Sequence, residues 1–218
     1  MKIAVLLPTY NEEESIAAMI QSVRMIDESY DIYVVDSGST DQTVRIAQLN
    51  CANIISLDER GKGLAIAKAF RELDYDAIVM LDSDMSYSPE DIPLLLKGLK
   101  DNDVVVGSRF IGEIQLGAMS GLNRFGNRLL TGLAVFLFGI PTTDVCSGFW
   151  AFMNDAYKSM EIDARHFPLE ANFYVECLDK ELCLGEVPIH YGVRRGQSKL
   201  GMIDGLEIGL YLIKRWLL

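Results

Sequence analysis

Short apolar runs recur through the first half of the chain, and each one ends in a polar segment. The runs cover residues 3–7, 31–35, 77–81 and 104–106. Unbroken apolar runs of this length are typical of strands that are covered on both faces in a parallel sheet. Segments 13–25, 40–49 and 63–73 instead carry apolar residues at three- and four-residue spacing, which predicts helices. The alternation predicts an α/β fold, a doubly wound, mostly parallel sheet flanked by helices.

Sheets of this kind bind ligands beyond the carboxyl ends of their strands. The polar segments that follow the four runs are residues 8–12, 36–41, 82–84 and 107–109. Because parallel strands end at the same edge of a sheet, we expect these four segments to converge there.

The second half of the chain is less regular. Its pattern predicts a connection rich in glycine and asparagine at 117–127, an apolar helix that ends at Phe138 and a turn at 142–148. A helix at 168–180 and a strand at 186–191 follow. No internal repeat or low-complexity linker separates these segments, and 218 residues with half of them apolar are enough for one buried core, so we expect a single domain over residues 1–218.

Charge and cysteine usage exclude some classes of function. A formal charge of −11 argues against nonspecific nucleic-acid binding, which depends on clustered Lys and Arg. The four cysteines have no metal-ligand spacing, and the chain starts on a strand-like run, which together favour a reducing cytoplasm. The apolar stretches 129–140 and 203–218 are too short or too often interrupted by charge for the roughly 20 residues that cross a bilayer.

Asp82 and Asp84 follow the third apolar run, with one residue between them. Two carboxylates in that position can bind Mg²⁺ or Mn²⁺, whose remaining ligands are commonly substrate phosphates and water. A diphosphate is therefore the natural companion. A helix cap or a turn is the structural alternative, since aspartate favours both.

Two further segments carry candidate chemistry. Asp36 ends the second run, where a carboxylate can accept hydrogen bonds from a base or ribose. Lys62 lies between two glycines just before a predicted helix, a setting that suits an anion near the helix N-terminus. The Walker A spacing is absent, so this is not a P-loop.

The joint pattern is more specific than any of its parts. In chain order it consists of PTYNE at 8–12, VDSGSTD at 35–41, GKG at 61–63, LDSD at 81–84, GSR at 107–109, NRFGN at 123–127, DVCSGF at 144–149 and RRGQSKL at 194–200. This order strongly resembles the family-2 inverting glycosyltransferases of GT-A fold. The later motifs resemble the branch that acts on polyprenyl phosphates, which includes the dolichol-phosphate mannose synthases.

The resemblance implies a role for each matching residue. Pro8, Tyr10, Glu12 and Asp36 would hold the nucleoside, Asp82 and Asp84 the donor through Mg²⁺ or Mn²⁺, and Lys62 and Ser198 further parts of the substrate. Arg109 and Arg124 would face the acceptor phosphate, Asp144 would lie near the reacting centre, and Arg194 and Lys199 would close over the diphosphate. The chain departs from the family pattern at Ser37, Ser86 and Asn123.

The implied reaction moves a hexose from a nucleotide-diphosphate sugar, of the GDP-mannose or UDP-glucose type, to a polyprenyl phosphate. Residues 1–108 would form the nucleotide-binding half, and residues 109–218 the acceptor-binding half with a C-terminal interfacial helix. Three alternatives stay open: a nucleotidyltransferase, a noncatalytic module that binds nucleotide sugars, and a soluble family-2 transferase with a non-lipid acceptor.

The apolar residues of 122–138, with Arg124 and Arg128 at their start, predict a helix that lies in a membrane surface. Residues 208–218 have the composition of a second interfacial element. Together they predict a peripheral protein on the cytoplasmic face of a membrane. Core packing and a homo-oligomer interface are the competing interpretations of the same residues.

Overall fold

The centre of the molecule is a seven-stranded sheet, in a computed structural model that describes residues 1–163, 168–196 and 202–217, with side chains from Gly205 onward in the last range. The strands are β1 (Ile3–Thr9), β2 (Asp31–Ser37), β3 (Asn53–Leu57), β4 (Ala77–Met80), β5 (Val104–Ile114), β6 (Trp150–Met153) and β7 (Leu184–Tyr191). Their order across the sheet is β3-β2-β1-β4-β6-β5-β7. Strand β6 runs antiparallel to its neighbours β4 and β5, and the other pairs are parallel. The predicted α/β fold class is confirmed.

The helices are α1 (Ile16–Ile26), α2 (Thr43–Leu49), α3 (Lys62–Glu72), α4 (Ile92–Gly98), α5 (Gly121–Phe138), α6 (Asn154–Ser159), α7 (Leu169–Asp179) and α8 (Met202–Leu217). Helix α5 begins inside the segment that the sequence predicts to be a connection, so that expectation is wrong. The Ser120 hydroxyl accepts a hydrogen bond from the Asn123 N–H (3.1 Å) and caps the helix there. This cap and the packing of α5 outweigh the low helix propensity of its glycines.

The sheet is buried on both faces, which explains the unbroken apolar runs. Within β1, Ala4 and Leu6 point into one core cluster, and Val5 and Leu7 point into the other. Buried residues of α3, α5, α7 and α8 cover the first face, and buried residues of α1, α2 and α4 cover the second. The exposed surfaces of α5 and α8 therefore lie on the opposite side of the sheet from α2.

Helix α8 is anchored from two sides. On one side Gly205 and Gly209 lie against Leu130 of α5, since a Cβ at Gly209 would stand 3.6 Å from a Leu130 methyl carbon. On the other side Arg215 donates to Asp179 at the end of α7 (2.5 Å), and the Tyr211 hydroxyl donates to Asp163 (2.9 Å). These ion pairs turn the Arg215 side chain toward α7.

The aromatic cluster under the sheet gives a first prediction. Phe173 of α7 is fully buried, with its ring centroid 6.0, 5.2 and 5.0 Å from those of Phe70, Trp150 and Phe152. We expect Phe173→Ala to lower the free energy of unfolding by about 3–5 kcal/mol, because it leaves a cavity in the core. Urea unfolding followed by circular dichroism measures the change.

Leu178→Ala on the same helix is the control. Its side chain is 41% exposed. It should cost less than about 1 kcal/mol. Equal losses in the two variants would show that helix α7, and not the cluster, carries the effect.

Candidate active site

The loops that follow β1 and β4 meet at the carboxyl edge of the sheet, as predicted. The Ser83 hydroxyl donates to the Pro8 carbonyl (3.0 Å) and ties the two loops together. A cavity of about 190 Å³ opens between them. The predicted site residues that line it are Pro8, Tyr10, Glu12, Lys62, Asp82, Asp84, Arg109 and Arg194. Predicted residues Ser198 and Lys199 lie outside the described residues.

Asp82 is held by a shared ammonium group. The Lys62 Nζ donates to Asp82 Oδ1 (2.7 Å) and to Glu170 Oε1 (2.6 Å). Burial alone would lower the pKa of Lys62, but the two carboxylates outweigh it and raise the pKa above its usual value. Burial also raises the pKa of Glu170, against the effect of Lys62. Lys62 therefore stays charged between two carboxylates.

Asp84 has an analogous arrangement. Its Oδ2 lies 2.9 Å from Arg194 Nη2, which also lies 3.6 Å from Glu12 Oε1. Its Oδ1 accepts hydrogen bonds from the backbone and hydroxyl groups of Ser86. The next residue, Met85, has a positive φ of 66°. A bulky residue rarely adopts that conformation, and such strain concentrates at functional sites.

The loop after β4 is also tied to the segment that follows β7. The Arg195 N–H donates to the Asp84 carbonyl (2.8 Å), and the Gly192 N–H donates to the Ser86 carbonyl (2.7 Å). These bonds place Arg194 beside Asp84.

The residues present fit a divalent cation. Two carboxylates supply hard oxygen ligands, and the two ion-paired groups hold four carboxylates against two cations. Gly148 leaves room for the Asp82 carboxylate, since a Cβ there would lie 2.5 Å from Asp82 Oδ2. Within the described residues no third His, Cys, Asp or Glu completes a metal cluster. The protein would therefore supply Asp82 and Asp84, and substrate and water would supply the rest.

Of the predicted nucleoside residues, Pro8, Tyr10 and Glu12 line the cavity and Asp36 does not. The Arg60 guanidinium lies over the Tyr10 ring, 4.5 Å from its centroid. Asp36 is buried beneath its own loop, where its Oδ2 accepts from the N–H groups of Gly38 and Ser39 (3.1 Å each). Asp36 thus shapes the loop that follows β2, and its contact with a nucleoside stays a prediction.

Arg109 and Asp144 form a buried bidentate ion pair. Arg109 donates through Nε and Nη2 to the two carboxylate oxygens of Asp144, each bond being 2.7 Å. Nη2 also donates to Asn127 of α5 (3.0 Å), and the Tyr174 hydroxyl donates to the Asp144 carbonyl (3.1 Å). Asp144 is fully buried behind Arg109. It therefore orients a guanidinium that lines the cavity.

A basic group continues from Arg109 along α5. Phe110 lies between two guanidinium groups, with Arg109 5.9 Å and Arg128 5.5 Å from its ring centroid. Arg124 lies one turn before Arg128 on α5. It is not among the described residues that line the cavity. Neither Arg124 nor Arg128 forms an ion pair within the described part of the chain.

Sequence reasoning did not find Glu170, Gly148, Arg60 or Asn127. Glu170 is a lone acid in a predicted helix, and nothing in its spacing indicates that α7 points it at Lys62. Gly148 and Asn127 lie within two of the family motifs and Arg60 directly precedes a third, so their positions carried a weak signal. Cys146 also lines the cavity, but burial raises the pKa of its thiol to about 12, so it is not a nucleophile near neutral pH.

Comparison with known proteins identifies the family. The model of Glycosyl transferase family 2 matches residues 4–160, most of the chain. The chain belongs to glycosyl transferase family 2. The resemblance seen in its motifs is thereby confirmed.

Two relatives and the solved structure of another protein show how far this family-2 chain resembles known proteins. It is 36% identical to the low-salt glycan biosynthesis hexosyltransferase of Haloferax volcanii, over 91% of the chain but only 49% of that relative. It is 33% identical to the dolichyl-phosphate hexose transferase of the same organism, over 97% of the chain and 92% of that relative. The chain thus spans about half the length of the first relative and nearly all of the second.

The solved structure is glucosyl-3-phosphoglycerate synthase from Mycobacterium tuberculosis in complex with Mn²⁺, UDP-glucose and phosphoglyceric acid. Its TM-score is 0.80 at 22% identity, over 99% of this chain and 79% of that one. This likeness confirms the predicted GT-A fold.

The close approach of Gly148 to Asp82 gives a prediction for this family-2 chain. Gly148→Ala should reduce transfer from a nucleotide sugar by at least about tenfold, because the new Cβ pushes the Asp82 carboxylate from its place. The thermal unfolding midpoint should fall by no more than a few degrees. Initial rates and a melting curve measure the two effects.

Gly132→Ala is the matched control. An added Cβ on this exposed α5 glycine meets open space. It should leave the rate unchanged. A Gly148→Ala protein with wild-type rates would mean that the position of Asp82 does not matter for transfer.

Proposed function

We propose that this chain is an inverting hexosyltransferase that moves a sugar from a nucleotide-diphosphate donor to a polyprenyl phosphate. The observation that carries the proposal is the pair Asp82 and Asp84, charge-balanced in a cavity at the carboxyl edge of a family-2 sheet. The name of the dolichyl-phosphate hexose transferase, which the chain matches over nearly its full length, supports the acceptor class.

The part of the cavity around Asp82 and Asp84, which we assign to the sugar donor, contains most of the predicted site residues. Bound Mg²⁺ or Mn²⁺ would neutralise charge on the donor diphosphate, which departs with the nucleoside. Asp82 and Asp84 hold that cation, and Pro8, Tyr10, Glu12 and Asp36 shape the space for the nucleoside. Arg194 already lies over Asp84, so it is placed to stabilise the negative charge that grows on the leaving group. We assign Lys199 and Ser198, from the family motif, to the same end.

The acceptor end uses arginines and needs no strong base. A phosphate monoester is ionised near neutral pH, so its oxygen can attack without losing a proton to the protein. Arg109 faces the cavity and binds that phosphate, with Asp144 and Asn127 fixing the guanidinium. In this proposal Asp144 is a positioning residue. Arg124 and Arg128 extend the positive surface toward the acceptor.

The lipid part of the acceptor fits the outer surface of α5 and α8. Their exposed large apolar residues are Leu122, Phe125, Leu129, Val135 and Phe136 on α5, and Leu206, Leu210, Ile213, Trp216 and Leu217 on α8. Exposed apolar surface of this extent marks an interaction site. Leu130, Leu133, Leu137 and Phe138 pack on the core instead, so core packing accounts for one side of α5. No helix in the described ranges is long and apolar enough to cross a membrane.

We propose that the outer surface of these two helices rests on the cytoplasmic face of a membrane, where the polyprenyl phosphate is found. Apolar side chains would enter the headgroup region, and the arginines at the start of α5 would meet phosphates. A homo-oligomer interface on the same surface is the competing outcome of the tests.

The first test of the function is a donor panel. Wild-type protein, Mg²⁺ or Mn²⁺ and a polyprenyl phosphate are incubated with radiolabelled GDP- and UDP-sugars, and the label in the lipid phase is counted. Asp84→Asn should lower the rate by at least about a hundredfold, since it weakens the cation site and the Arg194 pair. Asp101→Asn, a change at an exposed acid, should leave it unchanged.

The outcomes separate the alternatives. If the label reaches only soluble acceptors, the protein is a transferase with a non-lipid acceptor. If it binds the nucleotide sugar but shows no turnover with any acceptor, it is a noncatalytic module. Transfer of labelled nucleotide instead of sugar would identify a nucleotidyltransferase.

The second test concerns the membrane surface. We expect wild-type protein to float with liposomes, more strongly when they contain anionic lipid. Phe136→Glu and Trp216→Glu should each reduce the bound fraction by about tenfold, because each puts a charge where an apolar ring would be buried. Leu49→Glu, an equally exposed apolar position across the sheet, is the control. Protein that never floats but forms dimers would assign the surface to self-association.

A further inference from the structure

Glu170 is an acid in the wall of the donor cavity that no sequence motif indicated. It lies in the first turn of α7, and its side chain is only 12% exposed. Its Oε1 lies 2.6 Å from the Lys62 ammonium group. Within the described residues this is its only ion pair. Removing the cation would leave a buried carboxylate without a counter-charge, which destabilises the fold more than burial of the intact pair does.

Lys62 joins Glu170 to the predicted cation ligand. The same ammonium group donates to Asp82 Oδ1 at 2.7 Å, so it is shared almost evenly between the two carboxylates. Asp82 Oδ2 instead points toward the gap at Gly148. A divalent cation that binds Asp82 competes with Lys62 for the negative charge of this carboxylate. Lys62 would then be a partly buried cation in need of another partner.

Glu170 is that partner. Its Oε1 accepts from the same ammonium group at 2.6 Å, so it can keep Lys62 paired when Asp82 binds a cation. Arg194 has a similar pair of partners in Asp84 and Glu12, though its contact with Glu12 is longer, at 3.6 Å. Because Glu170 lies closer to Lys62 than Glu12 lies to Arg194, Glu170 is a stronger candidate than Glu12 for a role in cation binding.

We propose that Glu170 is a positioning residue for the divalent-cation site and acts through Lys62. When Asp82 binds the cation, Glu170 keeps the Lys62 ammonium group paired. Asp82 is thereby available as a ligand. The inference rests on the proposed function, since it takes Asp82 and Asp84 as cation ligands.

A purely structural role for Glu170 makes a different prediction. An acid in the first turn of a helix stabilises that helix through its dipole. In that case, loss of the charge would lower the stability of α7 and leave the affinity for a cation unchanged. Cation affinity, measured directly, therefore separates the two roles.

The experiment measures Mn²⁺ binding by electron paramagnetic resonance, which counts the free ion. One series uses the protein alone, and a second adds GDP or UDP against a blank without protein. Glu170→Gln keeps the shape and a hydrogen-bond acceptor but removes the charge, and it should raise the Kd for Mn²⁺ by about 10- to 100-fold, the usual effect of losing an outer partner of a ligand. Asp84→Asn shows in parallel whether the measured ion is at the predicted site.

Two further variants test the route through Lys62. Adding Glu170→Gln to a Lys62→Met protein should change the Kd by less than about twofold, because the group that links Glu170 to the site is already gone. Glu176→Gln, which removes another buried acid from the same helix, should bind Mn²⁺ like the wild type. A general disturbance of α7 would affect both glutamate variants.

The results distinguish this inference from the proposed function. Wild-type affinity in Glu170→Gln, or effects of Lys62→Met and Glu170→Gln that simply add, would overturn the role of Glu170 and leave the function standing. A wild-type protein that binds no Mn²⁺ in either series, or binds it equally after Asp84→Asn, would overturn the cation assignment itself and this inference with it.

Discussion

Carboxylates that converge at one end of a parallel sheet repel one another, and the donor cavity depends on how that repulsion is balanced. Asp82 and Asp84 lie at the start of the loop after β4, where both line the cavity. Lys62 and Arg194 balance them from two different directions, the start of α3 and the segment after β7. These two ion pairs fix α3 and the segment after β7 against the sheet. The same contacts therefore form the walls of the cavity and balance its charge.

Much of this architecture follows from local pattern. The four apolar runs predict β1, β2, β4 and β5 because each is covered on both faces, and the polar segments after them predict the edge where the site forms. Strand β3 escapes prediction because it is an edge strand with mixed exposure, and β6 because its four residues come directly after the segment 142–148 that the pattern predicts to be a turn. The helical part of residues 117–127 escapes because glycine content hides a capped helix start.

The site was predictable where its residues belong to motifs and unpredictable where it depends on long-range packing. Asp82 and Lys62 are 20 residues apart and could be linked from sequence order alone, but Glu170 is 108 residues from Lys62. Only the seating of α7 on the sheet brings it there. The bidentate pair of Arg109 and Asp144 is a similar case, because 35 positions of sequence separate the two side chains.

The place of β6 beside β4 has a consequence for how the protein is made. Strand β4 pairs with β1 on one side, but on the other it pairs with β6, where Met80 lies opposite Trp150. A chain that emerges from the ribosome amino end first therefore shows one open edge of its central strand until some 70 further residues have been made. Pairing across such a separation is slow, and an exposed apolar strand edge invites association with other chains. Synthesis of this protein thus includes an interval in which the half that carries Asp82 and Asp84 has an unpaired edge on its central strand.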